Sequence, residues 1–96
     1  MSAPMAPDRD DVQMALHRLL IAVAGPNYAG ALQRGDVSQQ LDRCIEWVRA
    51  EASEAASLIE SCVPHGKPML AQAQKRLEAL ESLRTLERLS AIHFES

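Results

Sequence analysis

The side chains with most chemical capacity in this 96-residue chain are Cys44, Cys62, His17, His65 and His93. Cys62-Val-Pro-His65 has the C-x2-H spacing that a soft metal can use, since a thiolate and an imidazole three positions apart can converge on one ion. Cys44, His17 or His93 would have to complete a tetrahedral set. No second paired motif supplies the remaining ligands, and Cys44 falls on an apolar helical seam where a thiol packs as a small hydrophobe. The expectation is no metal site and no cofactor. His65 reads as a solvated loop residue, and His17 and His93 as surface or helix-end residues.

Nucleophilic catalysis needs a serine or cysteine beside a base, with oxyanion donors aimed at the reacting carbonyl. The sequence signals none of these. Ser53, Ser57, Ser61, Ser82 and Ser90 fall in helical segments, where hydroxyls point outward or bond back to the backbone. Acid–base catalysis needs two carboxylates in different environments. Glu46, Glu51, Glu54 and Glu60 instead lie together off the seam of one helix and read as a solvated face. Gly25-Pro26-Asn27-Tyr28-Ala29-Gly30 lacks the lysine and glycine spacing of a phosphate loop and follows a helix rather than a strand. The chain is therefore expected not to be an enzyme.

Charge limits the partners. Thirteen acids against ten bases give a net charge of −3, whereas a phosphate-tracking surface needs a dense basic face. Residues 36–63 carry six acids and two bases, and residues 64–96 four acids and five bases, so no segment is strongly basic. Lys75, Arg76, Arg84 and Arg88 are interleaved with Glu78, Glu81 and Glu87 at spacings that suit intrahelical pairs. Nucleic acid is not the expected partner on this ground, and a helical DNA-binding regulator is kept as the alternative reading. The apolar run at residues 19–24 is too short to span a bilayer, and the acidic residues before it contradict a signal peptide. With two thiols that helix geometry keeps apart, a reduced, cytoplasmic setting and no membrane are expected.

The elements that carry these residues follow from composition and spacing. Apolar residues are 47% of the chain, charged residues 24% and aromatic residues 3%, which suits one all-α core built from Leu, Ile, Val, Met and Ala. Residues 1–7 hold two prolines without periodicity and read as a flexible arm; residues 8–96 read as a single helical domain. Asp8 offers an N-cap to a helix over about 8–24, whose stripe is Val12, Leu16, Leu19 and Val23, widened by Ala15 and Leu20, and Gly25-Pro26 ends it. Asn27 could cap a short turn through Tyr28, Ala31 and Leu32, closed by Gly35. Asp36-Val-Ser-Gln39 resembles a capping box, with Asp36 accepting from the third helical amide and Gln39 reaching back.

The second long helix, about 36–62, carries Val37, Leu41, Cys44, Val48, Ala52, Ala55, Ile59 and Cys62 at steps of three or four, a coiled-coil-like seam. Cys44 and Cys62 lie about five turns apart on it, which rules out a mutual disulfide. Residues 63–68 are dense in helix breakers and reverse the chain. Pro68 then opens a third long helix to about residue 91. An antiparallel helical hairpin with the N-terminal helix packed on it, a three-helix bundle, is the predicted fold. In outline it looks like the small co-chaperones of bacterial secretion systems and several phage-encoded inhibitors; the likeness is architectural and carries over no residue.

One feature goes beyond a generic bundle. Leu77, Leu80, Leu83, Leu86, Leu89 and Ile92 recur at every third position, and each step of three falls about 60° short of a turn, so the row winds around the helix. Either the third helix is covered on two sides within the chain, or part of the row faces another molecule. Leu83, Leu86 and Leu89 are thus the expected partner-binding residues, exposed in an isolated subunit. Trp47, at the edge of the second helix's seam, is either packed under the first helix or a further anchor, since tryptophan is enriched at interface hot spots. The functional expectation is a small protein–protein interaction module, an adaptor, co-chaperone or inhibitor, binding a partner protein or itself as a homodimer.

Overall fold

The computed structural model describes residues 8–30, 32 and 36–95. The arm at 1–7, Ala31 and Gly35 lie outside the described residues. Four helices follow in order: α1 (Arg9–Ala24), the single turn α2 (Pro26–Ala29), α3 (Val37–Glu60) and α4 (Gly66–Glu95). The three long ones form the predicted bundle.

Asp8 caps α1 by accepting from Asp11 N at 2.8 Å, which satisfies one of the amides left without an intrahelical partner. The buried row of α1 is Leu16, Leu20 and Ala24, with Val12 packed against it. Val23, as expected, packs against it too, but Leu19, expected inside, is 49% exposed. Gly25, at φ 88°, ends α1 in a region that side chains with a Cβ seldom adopt. The turn that follows starts at Pro26, so Gly25 and not Asn27 stands at its cap, since proline's fixed φ suits the first helical position.

At α3 the cap differs from the predicted box. Asp36 accepts from Ser38 N at 3.4 Å, the second helical amide, which is as much in need of an acceptor as the third. The seam is otherwise as read through Ala55: Val37, Leu41, Cys44, Val48 and Ala55 are buried, Ala52 packs against the core and Ile59 is half-buried. Cys62 leaves it. The helix stops at Glu60, Cys62 takes φ 60°, and its side chain is exposed. Cys62 N donates to Ile59 O at 3.0 Å and Val63 N to Leu58 O at 2.9 Å, the two-bond arrangement of a Schellman stop, here with cysteine where glycine is usual.

α4 begins two residues before Pro68. Proline is tolerated there because its missing N–H falls among first-turn amides that have no intrahelical acceptor. Gly66 is buried against the end of α3: a Cβ on it would sit 2.9 Å from Ile59 N and 3.1 Å from Leu58 Cβ. The reversal is tight for this reason.

Polar pairs across the hairpin fix its sense. Arg76 pairs with Glu51 and Arg84 with Asp42, so advancing along α4 means retreating along α3, as an antiparallel hairpin requires. The expected intrahelical pairing is found for Arg84 with Glu87 at 3.8 Å, and Arg76 and Arg84 also reach across to α3. Arg76–Glu51 and Arg84–Asp42 each keep a partner in contact with water and add at most about 1 kcal/mol per pair. They set register more than stability.

Candidate functional site

The core is shared by all the long helices: Leu16, Leu20 and Ala24 from α1, Val37, Leu41, Cys44 and Val48 from α3, Ala73, Leu80 and Leu83 from α4, and Leu32 from the connection. α4 packs against both α1 and α3. Two helices cover a wider arc of α4 than one would, and the winding leucine row stays inside that arc as far as Leu83, which is 5% exposed. The expected exposure of Leu83 is therefore corrected: it belongs to the chain's own core.

Beyond Leu83 the row emerges. Leu86 is 51% exposed, Leu89 59% and Ile92 65%, so water contact increases toward the C-terminal end of α4. Several neighbours on the more covered side are polar. The side chain of Arg84 is 15% exposed and that of Glu87 12%, while Ser90 is half-buried. Here Arg84 and Glu87 are largely covered while Leu86, Leu89 and Ile92 face outward, the reverse of the usual polarity of a surface helix; Arg88 stays exposed. The inward arginine is well satisfied: Arg84 pairs with Asp42 and donates to Ser38 Oγ at 3.3 Å.

Trp47 takes a different position. Its ring stacks on Tyr28 with centroids 5.1 Å apart and planes 18° from parallel, and it packs half-buried against the core. It therefore packs under α2, whereas helix 1 was expected to cover it. Tyr28 also donates its hydroxyl to Glu51, which Arg76 approaches at 3.4 Å. Glu51, read as part of a solvated face, is half-buried in this cluster, while Glu46, Glu54 and Glu60 are exposed as expected. His17, expected at the surface, is half-buried with Nε2 bonded to the Leu32 carbonyl. This cluster tethers the α1–α3 connection to the hairpin. It does not join the leucine strip.

The thiols are separated by burial. Cys44 is fully buried and Cys62 exposed, both free. Burial pushes the Cys44 thiol above its ordinary value, against a smaller lowering by the Arg76 guanidinium; loss of hydration disfavours the thiolate. Cys62 borders a shallow cleft with Ile59, Val63, Pro64 and Lys67. Among the described residues no three His, Cys, Asp or Glu side chains gather in a way that could hold a metal ion. Ser82 and Thr85 donate to the carbonyls of Glu78 and Glu81 at 3.1 and 3.2 Å, the back-bonding expected of helical hydroxyls. No helix among the described residues is long and apolar enough to cross a membrane.

No protein-family model, curated protein or solved structure matches this chain. The reading of function rests on the site itself.

Proposed function

We propose that the chain is a small, non-enzymatic protein–protein interaction module that binds through Leu86, Leu89 and Ile92 on the outer face of α4. One observation carries this reading: three successive members of an apolar row are more than half exposed while the charged Glu87 beside them turns inward. Single exposed leucines are ordinary, but a contiguous apolar strip marks association. Spacing along one helical face suits a partner helix or a second copy of this chain.

Magnitude bounds the contact. Burying a leucine or isoleucine completely stabilises by about 1.5–3 kcal/mol, so covering the remaining half of three gives on the order of 3 kcal/mol. A millimolar complex already needs about 4 kcal/mol. The strip serves as an anchor within a larger contact, to which Ser82, Thr85 and Arg88 nearby add polar rim. The DNA-binding alternative gains little support, because Arg76 and Arg84 are engaged by carboxylates of α3.

Leu86→Glu and Leu83→Glu test the proposal as a pair. The first should leave circular dichroism and melting nearly unchanged while lowering the association seen by sedimentation at high protein concentration, or by titration with a captured partner. The second should unfold the chain, since it puts a carboxylate in the core. Loss of helicity in Leu86→Glu, or unchanged association of a folded variant, refutes the proposal; salt-suppressed gel shifts with duplex DNA would favour the alternative.

A further inference from the structure

We draw no further inference here: the strongest candidate, the open groove between α3 and α4 lined by Asp42, Glu46, Arg49, Glu81, Arg84 and Arg88, balances its carboxylates against its guanidiniums, and nothing in the structure shows what would occupy it.

Discussion

Replacing Cys62 by glycine should stabilise the fold. Cys62 holds φ 60° at the stop of α3, and a residue with a Cβ pays roughly 1–2 kcal/mol in that left-handed region. Glycine escapes the penalty but carries more freedom into the unfolded chain, which offsets about 0.4–1 kcal/mol. The Cys62 side chain is exposed, so little packing is lost. The net gain is about 0.5–1 kcal/mol, which for a domain near 100 residues raises Tm by roughly 2–8 °C. Cys62→Ala separates the two effects because it deletes the thiol and keeps the Cβ; its Tm should stay near that of the parent. Cys62→Val should fall below both, since a β-branched side chain is more strained at positive φ. Urea denaturation of all four proteins under reducing conditions gives the order. Equal stability of the glycine and alanine variants would mean that the backbone at position 62 is not held left-handed, and the argument would fail.

Gly66→Ala should lower the urea midpoint by an amount equivalent to about 1–2 kcal/mol: the new methyl group meets the Ile59 backbone, and overpacking of this kind outweighs alanine's helix propensity. An unchanged or higher midpoint would show that the turn can relax. Thiol labelling of the native protein should modify Cys62 quickly and Cys44 only after denaturation, given their opposite exposure; two fast thiols per chain by mass spectrometry would contradict the buried seam. Because burial raises the folded Cys44 thiol above its ordinary 9.0, the folded state holds its proton longer than the unfolded state. Its contribution is complete below about pH 9 and lost as pH rises through the folded value. Cys44→Val should flatten this alkaline decline in chemical denaturation; parallel pH profiles for the two proteins would exclude the effect.

The hairpin was readable because its signals are local. Leu41, Cys44, Val48 and Ala55 repeat on one face, and a cluster of breakers marks the reversal. In α1 the stripe of Val12, Leu16 and Val23 with Leu20 beside it is found in or against the core, while Leu19 lies outside it, because helical spacing admits both and only the position of α4 selects between them. Leu83 was misplaced for a related reason. Periodicity gives the direction of a side chain around its helix but not the arc that neighbouring helices cover. Glu51 and His17 were missed because their partners, Tyr28 and the Leu32 carbonyl, come from a connection with weak local signals. The left-handed turn at Cys62 had no glycine to announce it. Of the candidate site, Leu86 and Leu89 were expected from the row of threes, which also holds Ile92. The inward turn of Arg84 and Glu87 was not, since it depends on α3 supplying Asp42 and Ser38.

The short reversal between Glu60 and Gly66 also orders the assembly of the molecule. Joining α3 to α4 closes only a few residues of chain, whereas the approach of Gly25 to Arg76 closes about half of it, and the entropy lost grows with the length closed. The hairpin is thus the part of the fold that can be nucleated cheaply, with α1 docking onto a surface that already exists. During synthesis the order of emergence is the opposite. α1 leaves the ribosome before α3 and α4, its Leu16 and Leu20 face uncovered, and waits for α4 to supply the side against which it packs.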